Sequence, residues 1–482
     1  MTESYDLAVL GAGSGGLGAA LAAARLGLSV VLVEKSDTVG GTATRGGVHG
    51  WESGVGATGL PFDLYRRLKR LPLAVGVYSF GRHGSWPKPT DQVPFPGGEH
   101  VVDPSLGYAD TLLRHVAPGA ASDEAHRRKH WHGVIFEPDA YCRVVEEMLA
   151  ETGRCTLLKQ TAFTDVRTEG GRLLSLRLSD GREVQAGAYV DATGDGLLCL
   201  ACGCEAMVGQ ESREVFGEPS APEQPNHRVN SVSLIYRVTP TDTPGVEPLP
   251  EGMPAECWWA PRFPWAHMPR YPCGDFSVNM LPTMEGEEFL GRGYADAYEE
   301  CRRRVIAHWH HAQTVFPEFR GYRRSWIAPL LGIRESRRIV GEYVLREHDL
   351  SAGLSAQEHD DIIAIADHAQ DRHGAGGGCA ELRQPYGVPF RCLIPRGFTN
   401  LLIACRAASF SSLAASSCRL SRTMMQLGHA AGTAAALARD LGVDLPGVPP
   451  ERLRACLREQ HVQLEYPPPA ALLDHLRHED AP

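Results

Sequence analysis

The sequence has no long apolar run and no excess of basic residues. No window offers about 18 strongly apolar residues, because the longest small-residue runs consist largely of alanine and are broken by glycine, serine and arginine. The formal net charge of -10 and the pI near 6.1 oppose binding to nucleic acids or anionic membranes, since both surfaces are negatively charged. These absences argue against a membrane-spanning protein and against a nucleic-acid partner.

The sequence also has little room for an amino-terminal signal peptide. Its thirteen cysteines would favour an oxidised, secreted protein if such a leader preceded them. The first strand, however, is predicted to begin near Tyr5, which leaves no space for a charged region and an apolar core. We therefore expect free thiols in a cytoplasmic protein.

Patterns for hydrolysis and metal binding are missing as well. No G-x-S-x-G elbow occurs, so serine hydrolysis has no support. Cys199, Cys202 and Cys204 follow a glycine turn, where packing of a helix explains them better than metal ligation does. No metal site is predicted.

What the sequence does contain is a strand, a glycine turn and a helix at its start. The apolar run Leu7 to Leu10 stops at Gly11, and Gly11, Gly13 and Gly16 have G-x-G-x-x-G spacing. In a dinucleotide site these glycines permit a tight turn, close approach to a pyrophosphate and close helix packing. The amide groups at the helix N-terminus then face the phosphates.

The next strand ends in an acidic residue at about the distance from the glycine turn that dinucleotide-binding folds show. "SVVLVE" finishes at Glu34, which lies 34 - 11 = 23 positions after Gly11. A carboxylate there accepts hydrogen bonds from the adenosine ribose hydroxyls and disfavours a 2′-phosphate. NADP is therefore a poor candidate, and FAD and NAD remain open.

The choice between FAD and NAD depends on the next segment, "DTVGGTATRGGVHGWESGVGATG" at 37 to 59. This segment resembles the loop of the G-G-T-x-T-x-G-G-V type found in the glutathione-reductase-like flavoproteins, within a family of FAD-dependent oxidoreductases. The resemblance implies that this loop passes along the pyrophosphate and under the isoalloxazine ring. It therefore implies FAD as the cofactor.

Three later segments resemble the same family. "DATGDG" at 191 to 196 matches its second fingerprint at Thr193, Gly194 and Asp195, and "LLGIRESRRIVGEYVLREHDL" at 330 to 350 matches a third element. Taken without the resemblance, these segments are also explained by a capped turn and by a salt-bridged surface element. The four segments, in their order along the chain, are what the family identification rests on.

The longest match is "PYGVPFRCLIPRGFTNLLIACRAASFSSLAASSCRLSRTMMQLGHAAGTAAALA" at 385 to 438. The resemblance implies a strand, "NLLIAC", ending at the flavin and a helix that begins between Thr423 and Gly428. The dipole of this helix would stabilise negative charge on the flavin. Relatives carry A-G-R where this chain has Ala404, Cys405 and Arg406, so a covalent flavin link through Cys405 stays open, as does one through His49.

Fourteen residues are expected to contact FAD: Gly11, Gly13, Gly16, Glu34, Lys35, Gly41, Thr42, Ala162, Thr193, Gly194, Asp195, Arg406, Gly428 and Ala431.

The resemblance implies an α/β fold with more than one domain. We expect a Rossmann-like FAD-binding domain of the glutathione-reductase type that is discontinuous in sequence, with a mixed-sheet substrate domain inserted. The expected parts are 1–75, 136–215 and 325–445 for FAD binding, 76–135 for an irregular insertion over the flavin, 216–324 for the substrate or cap domain, and 446–482 for a tail with a helix.

The predicted activity is that of a dehydrogenase or oxidase that takes a hydride from a small organic substrate onto flavin N5. His49 is the candidate proton shuttle, and Arg334 and Arg419 are candidates for orienting a carboxylate or polarising a carbonyl. Alternatively, both arginines bridge domains, or the chain is a reductase or electron-transfer subunit supplied by a partner protein. "HGAGGGC" at 373 to 379 lacks the spacing of a phosphate loop, so no second dinucleotide site is predicted. A homo-oligomer is left open.

Overall fold

The structure, a computed structural model, describes residues 2–80, 102–116, 123–374 and 378–480. Short 3₁₀ helices span Gly41–Ala43, Tyr108–Leu112, Pro317–Gly321, Phe390–Leu393 and Leu445–Gly447. The α-helices within the described ranges are α1 Ser14–Arg25, α2 Leu60–Lys69, α3 Glu124–His130, α4 Pro138–Glu151, α5 Leu197–Ala201, α6 Arg213–Phe216, α7 Gly286–Arg292, α8 Tyr294–Val315, α9 Glu347–Ala352, α10 Ser412–Ser417, α11 Ser421–Leu441, α12 Pro450–Glu459 and α13 Ala470–Arg477. The strands in those ranges are β1 Thr2–Leu10, β2 Val30–Val33, β3 Gly50–Trp51, β4 Val75–Ser79, β5 His132–Phe136, β6 Cys155–Leu158, β7 Phe163–Glu169, β8 Arg172–Leu178, β9 Glu183–Asp191, β10 Ala206–Val208, β11 Val232–Ser233, β12 Tyr236–Pro240, β13 Ala266–His267, β14 Phe276–Met280, β15 Tyr322–Ile327, β16 Gly332–Ile333, β17 Arg337–Ile339, β18 Ile362–Ala366, β19 Gln370–Asp371, β20 Cys379–Ala380, β21 Tyr386–Pro389 and β22 Leu401–Ile403.

The central sheet is built on parallel strands. Strands β6, β2, β1, β9 and β22 lie side by side and run in the same direction, and the hairpin of β7 and β8 adds antiparallel strands beside the start of β9. The end of β1 and all of β2 are apolar and buried, as expected for parallel strands covered on both faces. The fold is therefore mixed α/β with a Rossmann-like parallel core, as predicted.

Helices α1 and α11 pack on each other through glycines. A Cβ atom on Gly428 would lie 1.9 Å from the carbonyl oxygen of Gly15, and one on Gly432 would lie 2.2 Å from that of Ala19. Any side chain at these positions would force the two backbones apart. Helix α11 begins at Ser421, slightly before the predicted start between 423 and 428.

A second core lies under a separate four-stranded sheet. Its strand order is β13-β14-β12-β15, and each neighbouring pair is antiparallel. Helix α8 supplies Trp309 and Cys301 to this core, which also contains Tyr236 and Val278 from the sheet. The prediction of a mixed sheet in this domain is therefore wrong in one respect, because all of its strand pairs are antiparallel. An antiparallel sheet can leave one face free of helices. The sheet also continues to Ile327, past the predicted limit at 324.

The segment 76–135 is more ordered at its two ends than predicted. Strands β4 and β5 pair with each other, and β3 joins them in a three-stranded antiparallel sheet. The prediction of an irregular insertion therefore missed the pairing of β4 with β5, because the two strands are too far apart in sequence to be recognised as a hairpin. The part of this prediction that concerns 81–101 and 117–122 lies outside the described residues.

The segment after 445 contains two helices, α12 and α13, where one was predicted. Both bury leucines against the rest of the protein: Leu453 and Leu457 on α12, and Leu472 and Leu476 on α13. Among the described helices, none is long and apolar enough to cross a bilayer.

Candidate active site

One cavity of about 1120 Å³ connects the ends of the parallel strands with the inner face of the second sheet. This volume is slightly larger than the range of about 300–1,000 Å³ that is usual for ligand pockets. Most residues predicted to bind FAD or substrate line it: Gly11, Gly13, Glu34, Lys35, Gly41, Thr42, His49, Ala162, Thr193, Gly194, Asp195, Arg334, Arg406 and Arg419.

Gly16, Gly428 and Ala431 do not line the cavity. A Cβ on Gly16 would lie 1.8 Å from the carbonyl oxygen of Gly11, so this glycine allows α1 to pack against the turn. Gly428 serves the contact between α11 and α1, and Ala431 is fully buried in the core. The structure therefore places these three in the packing behind the cavity.

The glycine turn after β1 has the features of a phosphate cradle. Gly11 has a φ of 96°, a left-handed conformation that favours glycine, and Gly13 has open space where a Cβ would stand. The hydroxyl of Ser14, in the first turn of α1, is buried without a hydrogen-bond partner. An anion at this helix end would meet that hydroxyl and the unpaired amide groups.

Glu34 lies at the end of β2, on the same edge of the sheet. Its carboxylate accepts hydrogen bonds from the amide of Ala12, at 2.8 Å, and from the amide of Ser36, at 2.8 Å. A carboxylate can accept further bonds. Glu34 therefore fixes the glycine turn and still presents acceptor positions to the cavity.

Asp195 and Arg406 form a pair on the cavity wall. Arg406 donates to Asp195 Oδ1 at 2.6 Å, and the hydroxyl of Ser336 donates to the same oxygen at 2.5 Å. Burial alone would raise the pKa of Asp195, but Arg406 and Ser336 hold it below its usual value. The pair joins the second fingerprint to the turn after β22.

Cys405, also in this wall, is buried, and burial raises its pKa to about 12. A thiol that stays protonated at neutral pH is a poor nucleophile for a covalent flavin link.

His49 is held on both ring nitrogens. Nε2 donates to the carbonyl oxygen of Thr44 at 2.8 Å, and the hydroxyl of Tyr271 donates to Nδ1 at 2.5 Å. Burial lowers the pKa of His49 to about 4. The prediction of a proton shuttle assumed an ordinary histidine pKa and an open ring nitrogen. Burial lowers the pKa, and both nitrogens are already hydrogen-bonded, so His49 has no ring nitrogen open to a substrate.

Arg334 and Arg419 lie at another part of the cavity, together with two residues that were not predicted. Arg419 donates to Asp371 Oδ2 at 2.9 Å, and His373 Nε2 lies 2.6 Å from the same oxygen. Burial and the charge of Arg419 lower the pKa of Arg334 to about 9. Burial would raise the pKa of Asp371, but His373 and Arg419 hold it far below its usual value.

Sequence reasoning missed the pair Asp371 and His373. Both lie at the edge of "DRHGAGGGC", a segment whose glycines lack phosphate-loop spacing. The D-x-H spacing was the available signal, but hydrogen bonds with Asn230 and Ser231, far away in sequence, are what hold this segment at the cavity.

Arg422 was missed as well. It lies in the first turn of α11 and lines the cavity. Its guanidinium donates to the carbonyl oxygen of Glu52 and, at 3.0 Å, to the hydroxyl of Thr111.

Comparison with known families decides the cofactor. Residues 6–457 match the family model described as FAD dependent oxidoreductase. The chain belongs to this family. It is therefore an FAD-dependent oxidoreductase, an enzyme that uses FAD.

Other resemblances to known proteins are short or distant. Forty-two residues are 57% identical to dihydrolipoyl dehydrogenase 3 from Pseudomonas aeruginosa, a match that spans 9% of this oxidoreductase and 9% of that protein. A geranylgeranyl bacteriochlorophyll reductase-like protein from Thermoplasma acidophilum is 13% identical, with a TM-score of 0.46 over 96% of this chain and 85% of that one. An L-amino acid deaminase from Proteus vulgaris is 13% identical, with a TM-score of 0.40 over 93% and 92%. Likeness at this level transfers no activity.

The cavity residues of this FAD-dependent oxidoreductase fit the cofactor. The orphan hydroxyl of Ser14 and the open space at Gly13 suit a pyrophosphate, and the Glu34 carboxylate suits a ribose. Among the described residues, no group of three or more histidine, cysteine or acidic side chains is placed to hold a metal ion.

Proposed function

We propose that this oxidoreductase removes a hydride from a small organic substrate, as a dehydrogenase or an oxidase. When bound, FAD supplies a ring whose N5 accepts the hydride. The observation that supports the proposal is the continuity of the cavity, which extends from the glycine turn after β1 to the charged group of Arg334, Arg419, Asp371 and His373. One chamber thus has room for a dinucleotide and a substrate side by side.

We further propose the glutathione-reductase subtype, with FAD held by the discontinuous parts 1–75, 136–215 and 325–445. In support, β1, β2, β9 and β22 bring residues from all three parts to one edge of the parallel sheet. The substrate would then lie under the second sheet. Cytoplasmic location stays a prediction from the sequence.

Helix α11 supplies the positive environment that a reduced flavin requires. Ser421, Arg422 and Thr423, in its first turn, line the cavity. The helix dipole and the Arg422 guanidinium both favour negative charge at this point. Arg422 is buried and held by oxygen acceptors of Glu52 and Thr111, so its charge is fixed in place before any substrate binds.

His373 is the residue we propose as proton acceptor in place of His49. Its Nε2 donates to Asp371, which orients the ring and leaves Nδ1 as the basic nitrogen. Burial and the charge of Arg334 lower the pKa of His373 to about 4, so the ring is neutral at pH 7. A neutral imidazole beside a carboxylate is ready to take a proton when the substrate loses its hydride.

The test is the visible spectrum of the purified protein, followed by anaerobic addition of candidate substrates. Flavin bands near about 375 and 450 nm that bleach with a small molecule alone support the proposal. Bands that bleach only with a separate reductase or electron carrier favour the reductase or electron-transfer alternative. A protein that stays colourless after FAD is added contradicts the proposal outright.

A further inference from the structure

We infer that the substrate is a carboxylate, and that Arg334 and Arg419 hold its carboxylate group. The inference rests on the proposed function, because it names the substrate class of the same cavity. It also gives both arginines a task inside the cavity, against the alternative that they only bridge domains.

Arg334 is a cation on the cavity wall whose hydrogen-bond partners are all neutral. Nη1 donates to the carbonyl oxygen of Ser231 at 3.0 Å and to Ser233 Oγ at 3.1 Å, and Nη2 donates to Ser233 Oγ at 3.1 Å. Ser233 in turn donates its proton to the carbonyl oxygen of Met280 at 3.0 Å, so it cannot supply negative charge. Within the described ranges, no carboxylate lies within ion-pair distance of the Arg334 guanidinium.

Arg419 is only partly satisfied by Asp371. One terminal nitrogen donates to Asp371 Oδ2, while Nε is buried without a partner. The same Asp371 oxygen also receives His373. One carboxylate oxygen is therefore shared between a guanidinium and an imidazole, and Asp371 forms no ion pair with Arg334 in the described structure.

The charges around this end of the cavity leave an excess of about one positive unit. Five cations and four anions line this region: Arg114, Arg334, Arg372, Arg419 and Arg422, against Glu52, Asp367, Asp371 and Glu381. The Glu52 carboxylate faces a different residue, with its Oε2 at 3.3 Å from His368 Nε2. A desolvated cation without a counter-ion is costly, and a bound anion of one charge would balance it.

The geometry of the donors favours a carboxylate among monoanions. A guanidinium presents a planar fork that matches the two oxygens of a carboxylate, and such bidentate pairs are stronger than neutral hydrogen bonds. The group would lie beside His373, so that the carbon next to the carboxylate is the one within reach of the base. Substrates of this class would be small acids with an oxidisable carbon close to the carboxylate.

The first experiment compares matched probes on the wild-type protein. Acetate and benzoate are titrated against acetamide and benzamide, with the flavin difference spectrum and the thermal unfolding midpoint as two separate readouts. We expect at least one carboxylate to bind with an affinity on the order of 30-fold or more above its amide. Equal binding of acid and amide, or no response to any acid in either readout, overturns the inference.

Variants then locate the site. Arg334→Met and Arg419→Met should each weaken the carboxylate by about 30-fold or more and leave the amide unaffected. Arg454→Met is the matched control, because Arg454 also donates to a backbone carbonyl, that of Ile362, but lies outside the cavity. A carboxylate effect that persists in Arg334→Met contradicts the assignment.

The two readouts allow this inference and the proposed function to be tested independently. The thermal midpoint reports anion binding whether or not a flavin is present, whereas bleaching reports the redox activity. Selective carboxylate binding by a protein that no substrate bleaches would support the anion site and reject the proposed function. Bleaching by a neutral substrate, with no preference for acids, would support the proposed function and reject the anion site.

Discussion

Glu34 has two tasks that a single carboxylate performs at once. It accepts hydrogen bonds from the amides of Ala12 and Ser36, which fixes the glycine turn after β1, and it lines the cavity where the proposed FAD site would place a ribose. Residues of this kind are critical for cofactor binding because their loss affects the shape of the site as well as one contact.

Glu34→Gln is expected to weaken FAD binding by roughly 1.5–3 kcal/mol, the range for hydrogen bonds to a charged group, which is about 10- to 150-fold. The amide cannot accept on both sides, so one backbone donor loses its partner. Titration of the apoprotein with FAD checks this. Asp37→Asn is the control, since Asp37 is an exposed carboxylate in the same loop and pairs with Arg45; it should bind FAD as the wild type does.

The pair Asp371 and His373 predicts the acid side of the pH profile. His373 must be neutral to accept a proton, and its pKa is about 4, so kcat/KM should fall as the pH drops through about 4. A carboxylate substrate would offset the charge of Arg334, raise this pKa, and place the fall in kcat at higher pH than the fall in kcat/KM. Steady-state measurements of kcat and kcat/KM between pH 3.5 and 8 check both of these falls.

Asp371→Asn removes the negative charge beside His373 but keeps a side-chain oxygen that can accept the hydrogen bond from its ring. The same pH profile is then measured for this variant. The substitution removes an interaction that raises the pKa of His373, so the acid limb should move to lower pH while the rate on the plateau falls. If the acid limb is unchanged in both Asp371→Asn and His373→Gln, a different group controls it and His373 is not the base.

At the scale of elements, the contact between α1 and α11 positions both ends of the cavity. Helix α1 follows the glycine turn after β1, and α11 begins two residues after Arg419, which belongs to the charged group of Arg334, Arg419, Asp371 and His373. Four glycines let the two backbones approach each other: Gly15, Gly18, Gly428 and Gly432. A change in this contact would therefore move the glycine turn after β1 relative to the charged group.

Gly428→Ala is expected to destabilise the protein by about 3 kcal/mol, the upper part of the range for overpacking, because the new methyl group would meet the backbone of Gly15. Denaturant unfolding checks the change. Gly291→Ala is the matched control: Gly291 is also helical, but a Cβ there would have nothing within 4 Å. The control should be neutral or slightly stabilising, and similar losses for both variants would reject the packing argument.

At the scale of the whole molecule, buried neutral histidines tie stability to pH. His49, His373 and His429 all have pKa values lowered to about 4, and burial is the main cause for each. An unfolded histidine titrates near about 6.5, so between pH 4 and 6.5 the unfolded chain binds more protons than the folded one. The free energy of unfolding should therefore fall as the pH drops through this window.

His429→Gln isolates one of these contributions without touching the cavity, because His429 lies on α11 and contacts Gln460. Between pH 7 and 5 the variant should lose about 2 kcal/mol less stability than the wild type, because one extra proton on the unfolded chain changes the free energy of unfolding by ~1.4 kcal/mol for each step of one in pH. Urea unfolding at the two pH values checks this. Parallel losses in both proteins would mean that His429 is charged in the folded state.

The sequence by itself determined the family, the cofactor and the parallel core of this protein. A tight turn, a close backbone approach and a helix start impose local demands, so Gly11, Gly13 and Glu34 could be recognised from their spacing, and the resemblance of four segments identified the family. The parallel core followed from short apolar strands that alternate with helical patterns.

Only the tertiary structure brought together the residues of the proposed substrate site. Asp371 and His373 lie near Arg334 because Asn230 and Ser231, about 140 residues earlier in the chain, hydrogen-bond to the backbone of both residues, and no local pattern encodes that contact. Burial and neighbouring charges likewise set the state of His49, whose residue type suggested a proton shuttle and whose environment makes it neutral and doubly bonded. Local sequence specifies backbone shape, whereas charge, desolvation and the meeting of distant side chains depend on the complete fold.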